Sequence, residues 1–115
     1  MSLSNLNRTR LFEVDFDNLD WKKLEELYKF DPNEIHLITG AFISENSKYG
    51  RRPYLSTTKH AVYLPAHRLA DVETILSDET IVEQIKSGHA AFTVVTYPSK
   101  KFGKDCYDVF FIDLP

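Results

Sequence analysis

The chain has 115 residues, with 14 Lys and Arg against 17 Asp and Glu and a net charge of −3. Hydrophobic residues make up 43% and charged residues 27%, close to globular averages, which excludes a globally disordered chain. A single cysteine, Cys106, excludes an internal disulfide, a CxxC zinc site and a dithiol redox pair.

That length suits one domain with its own core. The lack of cysteine pairs points to a reducing, cytoplasmic compartment. No apolar run approaches the roughly 20 residues that span a bilayer, so no membrane partner is expected. Residues 1–10 carry no apolar stretch of the signal-peptide kind. Net acidity argues against a protein that coats nucleic acid over its whole surface, yet leaves room for a local basic site.

In chain order, residues 1–10 are polar and aperiodic and read as a frayed terminus. Phe12, Val14 and Phe16 alternate with Glu13 and Asp15, as in a short strand or extended arm. Asp17, Asn18 or Asp20 is a candidate cap for an amphipathic helix. That helix carries Trp21, Leu24, Leu27 and Tyr28 on one face and Lys22, Lys23, Glu25, Glu26 and Lys29 on the other. Pro32 ends it. Residues 34–43 predict a first strand, with Gly40 marking a bulge or bend. Residues 53–58 and 61–64 predict a second and a third strand. Residues 66–87 predict two short helices, with Leu69, Val72 and Leu76 inward in the first, Ile81, Val82 and Ile85 in the second, and Gly88 as the stop. Residues 91–97 and 106–114 predict strands four and five.

Beyond the N-terminal arm and helix of residues 1–33, the order is therefore β-β-β-α-β-β over 34–115. That is the layout of a mainly β, five-stranded Greek-key barrel of the OB-fold kind, closed or nearly closed. The rival arrangement is an open α+β sheet with helices on one face. Strand five is apolar on both faces, so some element must cover its outer side. The N-terminal helix is the candidate cover, packed on the barrel or on a second subunit of a homo-oligomer, and Trp21, Leu24 and Leu27 should then be buried.

Positive charge concentrates in two loops. Residues 44–52 hold Lys48, Arg51 and Arg52 against Glu45, and residues 98–105 hold Lys100, Lys101 and Lys104 against Asp105, each a net +2. Clustered cations of this kind bind phosphate backbones by releasing counterions. Aromatic residues are interleaved with them: Tyr49, Tyr54, Tyr97 and Phe102. Exposed rings stack on unpaired bases. Polar loops and strand aromatics also arise for purely structural reasons, so the signal lies in two basic loops expected to flank one face.

Catalytic groups are sparse. His36, His60, His67 and His89 show no i, i+4 pairing for a metal, and Cys106 sits among apolar residues as an inert thiol. No paired carboxylates and no phosphate-cradling glycine loop stand out. A non-enzymatic protein without a cofactor or metal is expected.

Two stretches, GAFISENSKYGRRPYLSTTKHAVYLPAH and AFTVVTYPSKKFGKDCYDVFFIDL, resemble small phage-encoded single-stranded DNA-binding proteins of lactic-acid and streptococcal bacteria. The likeness lies in an SKYG loop, a V-x-L-P-x-H element entering the helix, and a lysine–glycine loop before the last strand. It covers residues 34–115. It implies an OB-fold and sequence-tolerant binding of single-stranded DNA in phage replication or recombination, among other proteins of that machinery. It carries Lys48, Tyr49 and Gly50 of the first loop, and Lys100, Lys101, Phe102 and Gly103 of the second, over as site residues. The ending FIDLP is too short beyond strand five for a partner-recruiting tail, so recruitment by a tail is not expected. The alternative is a protein-interaction module on the same scaffold, using the apolar outer side of strand five.

Overall fold

The structure is a computed structural model and describes residues 12, 14–45, 50–99, 101 and 103–115. In chain order it contains β1 (Asp20–Lys22), α1 (Leu24–Phe30), β2 (His36–Ser44), β3 (Arg52–Thr57), β4 (His60–Tyr63), α2 (Leu69–Ser77), α3 (Glu79–Lys86), β5 (Ala90–Ser99) and β6 (Lys104–Asp113). Short 3-10 turns at Phe16–Asn18 and Ala66–Arg68 precede β1 and α2. The chain is mainly β with helices, as its patterning predicts. The strands form one mixed sheet in the order β1-β4-β3-β2-β5-β6, curled into a half-barrel.

The curl comes from β2. Its N-terminal residues His36 and Leu37 pair with Phe92 and Ala91 of β5, and the rest of it pairs with β3. The register slips between Ile38 and Gly40, so Thr39 is the extra residue of a bulge, which bends a strand and strengthens its twist. The bend predicted at Gly40 is there. A side chain at Gly40 would bring its Cβ within 2.8 Å of the Phe42 ring and 2.9 Å of Ser56 Oγ, so only glycine fits. Thr39 Oγ1 and Ser56 Oγ, 2.8 Å apart, share a hydrogen bond across the bulge.

Two expectations need correction. The sheet has six strands where five were expected, because β1 comes from the segment read as the start of a helix. Asp20–Lys22 pairs in parallel with His60–Val62, and helix α1 begins only after Lys23, whose extended backbone N–H donates to Glu26 Oε1 at 3.1 Å. Trp21 suits helical spacing in the sequence, but an aromatic side chain fits a half-exposed strand position at least as well. The second correction concerns closure. Among the described residues the sheet has two unpaired edges, β1 and β6, so the barrel-like curl stops at a half-barrel.

The core lies between this sheet and the helices. Leu24 and Leu27 of α1 are buried as predicted. In α2 the inward residues are Val72 and Ile75, and Leu69 and Leu76 are only partly covered, because the helix starts after a 3-10 turn that resets its phase. Val82 and Ile85 of α3 complete that layer against β2 and β5. Asp78 caps α3 by accepting from Thr80 N–H and Ile81 N–H at 2.9 and 3.3 Å. Gly88, at φ +81°, takes the chain out of it.

Two buried residues are titratable, Asp108 of β6 and His36 of β2. His36 is buried, with its ring stacked 5.1 Å from Phe92. Burial pushes its pKa below the ordinary 6.5, and His60 and Lys59 act in the same sense, against Glu34 and Asp31. The unfolded chain therefore binds this proton more readily than the folded one. Its contribution is intact above pH 6.5 and declines as the pH falls from 6.5 towards the lower folded-state value. Denaturation midpoints measured from pH 8 to pH 5 should fall with acidification, and a His36→Gln variant should flatten that slope.

Candidate nucleic-acid interface

Strand pairing aligns aromatic residues across one face of the sheet. Phe42 of β2 lies opposite Tyr54 of β3, and Tyr54 lies opposite Tyr63 of β4. Trp21 of β1 lies beside Ala61, two residues before Tyr63 on the same face of β4. The rings meet. Trp21 and Tyr63 stack with centroids 4.9 Å apart, and Trp21 and Tyr54 are 5.5 Å apart. Tyr54 lies 5.1 Å from Phe42 and 5.6 Å from Tyr63. Phe16 docks on this cluster from the N-terminal segment, 5.2 Å from Phe42 and nearly parallel to Trp21 at 6.2 Å. Phe12 closes the far end, 6.0 Å from Phe42.

The cluster is graded from core to surface. Phe12 and Phe42 are buried, Phe16, Tyr54 and Tyr63 are partly covered, and Trp21 is 48% exposed. Arg52, two residues before Tyr54 and on the same face, holds its guanidinium 4.3 Å from the centre of the Tyr63 ring. A cation over an aromatic ring is held by the ring's negative face and still offers its N–H groups outward. The arrangement leaves about half of the indole and the exposed Arg52 side chain open to solvent.

The structure brings Arg52 and Tyr54 together among the predicted site residues. Arg51 points away. Its guanidinium Nη1 bonds Glu73 Oε1 of α2 at 3.0 Å, and its Nε lies 3.6 Å from Glu45. Lys101 and Lys104 are exposed on the β5–β6 hairpin, and Lys104 acts electrostatically on Glu25 of α1. Lys48, Tyr49, Lys100 and Phe102 lie outside the described residues. β5 runs antiparallel to β2 and pairs only with its first two residues, so the hairpin carrying Lys101 and Lys104 extends past the N-terminal end of β2. Arg51 and Arg52 follow its C-terminal end. The two basic groups thus leave β2 in opposite directions.

Sequence reasoning missed Trp21 and Tyr63 as site residues. Its helical spacing places Trp21 on a buried helix face, where it has no role in a site. The available signal for Tyr63 was period two: Arg52 with Tyr54, and Ala61 with Tyr63, each share one strand face.

A second polar arrangement lies at the β6 edge. Asp108 is buried, and its Oδ1 accepts from Arg68 Nε at 3.0 Å and from the Val109 N–H at 2.8 Å. Its Oδ2 lies 2.7 Å from His67 Nε2. Arg68 also donates to the Val109 carbonyl at 2.9 Å and to Asp71 Oδ2 at 2.9 Å. Burial alone would raise the Asp108 carboxyl, but the hydrogen bonds from Arg68, Val109 and His67 outweigh it and hold it below its ordinary value. Arg68 is correspondingly raised by its bonds to Asp108 and Asp71. The fold pairs Arg68 with Asp108 across 40 residues, and nothing in the sequence shows it. Among the described residues no three His, Cys, Asp or Glu side chains are placed to hold a metal ion.

Helix α1 does not cover the outer face of the β5–β6 hairpin as expected. Tyr28 lies 5.6 Å from Tyr107, which shares the inner face with the buried Val94 and Val109, whereas Val95, Tyr97 and Phe110 of the other face are exposed. Cys106 is half-buried on that same face. No described helix is long and apolar enough to cross a membrane. No protein-family model, no characterised protein and no solved structure matches the chain.

Proposed function

We propose that the chain binds single-stranded DNA with little sequence preference, stacking unpaired bases on Trp21 and holding the backbone with Arg52. One observation carries this reading: the half-exposed indole of Trp21 stands against Tyr63, whose ring holds the Arg52 guanidinium. Every base has a π-face, so such a platform tolerates sequence, and the cation supplies the phosphate contact.

The half-barrel supports the reading as a variant of the OB barrel. With β1 set aside, β2 to β6 with two helices between the third and fourth of them follow the OB order, and β2 serves both halves of the sheet. In OB barrels the second and third strands and the loops after the first and fourth bind oligonucleotides. Those strands are β3 and β4 here, which carry Arg52, Tyr54 and Tyr63, and the corresponding connections are those from β2 to β3 and from β5 to β6. Phage replication or recombination is the setting that the sequence resemblance implies.

Trp21 is the sole tryptophan, so its fluorescence reports on the platform directly. Oligo-dT should quench that emission, with an affinity that falls as salt rises. A chain that ignores oligo-dT even at low salt sinks the proposal. The second reading, a protein-interaction module, draws on the exposed face of Val95, Tyr97 and Phe110, and it expects Trp21 emission unchanged by oligo-dT.

A further inference from the structure

We infer that the cleft between α1 and the β1–β4 edge takes a second nucleotide unit, one with an amino-bearing base. The inference deepens the single-strand reading above and rests on it. The cleft has a volume of about 470 Å³, within the usual range for small-ligand sites. Its apolar side is Leu27 and Phe30 of α1. Leu27 is buried in the core, whereas the Phe30 ring is 86% exposed, a large aromatic surface left to water at the mouth of a concavity.

The polar side is mixed. Lys22 and Lys59 supply positive charge and Glu26 and Glu34 negative charge, so the lining is close to neutral. Glu26 already accepts from the Lys23 N–H. Glu34 is 3.9 Å from His36 Nε2, too far for a hydrogen bond, and keeps acceptor capacity. His60 completes the lining. Its Nδ1 is the one buried side-chain nitrogen or oxygen among the described residues without a hydrogen-bond partner. That atom is closed off by protein, so an occupant of the cleft meets only the accessible part of the His60 ring, which is partly exposed.

The occupant must therefore offer a flat ring to Phe30, a donor to Glu34 and an anion to the lysines. A nucleotide with an exocyclic amine on its base carries all three in one unit. A lipid lacks the ring and the donor, and an unmodified peptide needs separate side chains for the ring and the anion. Position agrees. Trp21 and Lys22 are consecutive on β1, and successive side chains of a strand leave on opposite faces. A strand stacked on Trp21 enters the cleft by crossing this single edge strand.

The test uses the full chain with three probes: oligo-dA, oligo-dT and adenosine monophosphate. Phe30→Ala and Lys59→Gln change exposed residues and leave the core intact. Phe30→Ala should weaken oligo-dA binding about fivefold to a hundredfold. It should weaken oligo-dT binding less, since thymine has no exocyclic amine. The His60 ring resonances should shift when oligo-dA is added. If adenosine monophosphate shifts them too, the cleft also accepts free nucleotides, which supports the assignment. If oligo-dA binds through Trp21 while both variants match wild type and His60 is unmoved, the cleft assignment is overturned and the single-strand reading stands. If neither oligonucleotide binds and adenosine monophosphate leaves His60 unmoved, both fall. A shift with adenosine monophosphate alone overturns the strand reading and leaves a free-nucleotide site.

Discussion

An Arg68→Ala variant should lose about 2–4 kcal/mol of stability, far more than the loss from an ordinary surface arginine. Arg68 touches Asp108, Asp71 and the Val109 carbonyl, and its guanidinium lies 5.5 Å from the Phe111 ring. Truncation leaves the Asp108 carboxylate, whose side chain is only 12% exposed, with one cation fewer. It also strips the partner from an edge-strand carbonyl. Uncovered edge backbone recruits other strands, so the variant should aggregate more readily as well. Arg51→Ala is the control. Its partners Glu45 and Glu73 are well exposed, and pairs of that kind contribute less than about 1 kcal/mol. Urea titration of the two variants beside wild type decides the matter. Equal losses would show that the edge arrangement adds nothing beyond surface pairing.

The same arrangement has a pH signature. The folded Asp108 carboxyl lies below its ordinary value of 3.8, so the unfolded chain takes up this proton first. Its contribution is present above pH 3.8 and is lost as the pH falls through the lower folded-state value. Acid unfolding of Arg68→Ala should therefore begin at a higher pH than that of wild type.

On the proposed single-strand reading, replacing Trp21 by alanine should cost affinity about 1–3 kcal/mol, the value of one stacked base. Stacking releases no counterions, so the dependence of affinity on salt should keep its slope. Arg52→Gln should behave in the opposite way. It should weaken binding to all sequences alike and reduce the salt slope by about 0.7, the value for one lost phosphate contact on a single strand. Anisotropy of a labelled oligo-dT at several salt concentrations separates the two effects and does not depend on the tryptophan. Lys101→Ala and Lys104→Ala extend the measurement to the far hairpin, where a change in slope would place the strand along the length of β2. Two variants that bind as wild type does would move the interface away from this face.

Much of the architecture follows from local pattern. The strand-forming runs of β2, β3 and β5, the helical spacing of Val72 with Leu76 and of Val82 with Ile85, and the punctuation by Pro32 and Gly88 each depend on neighbours a few residues apart. Period and turn chemistry are properties of the chain itself, so those elements are legible in the sequence. So is the bend at Gly40, because a glycine within a run of strand formers leaves few other roles. The net charge and the clustering of cations in residues 44–52 and 98–105 are likewise sequence properties.

What those cations and rings do was decided by packing alone. Arg51 and Arg52 are adjacent and chemically alike, yet strand alternation sends one to Glu73 and sets the other over Tyr63. Trp21 fits a helix or a strand by spacing. The parallel pairing of β1 with β4, some 40 residues apart, selects the strand and turns the indole from a core residue into a half-exposed one. Asp108 reads as an isolated acid in an apolar strand until the turn at Ala66–Arg68 brings His67 and Arg68 against it. Local preferences act over three or four residues, whereas these contacts require the whole sheet to curl, and only the tertiary fold sets that curvature.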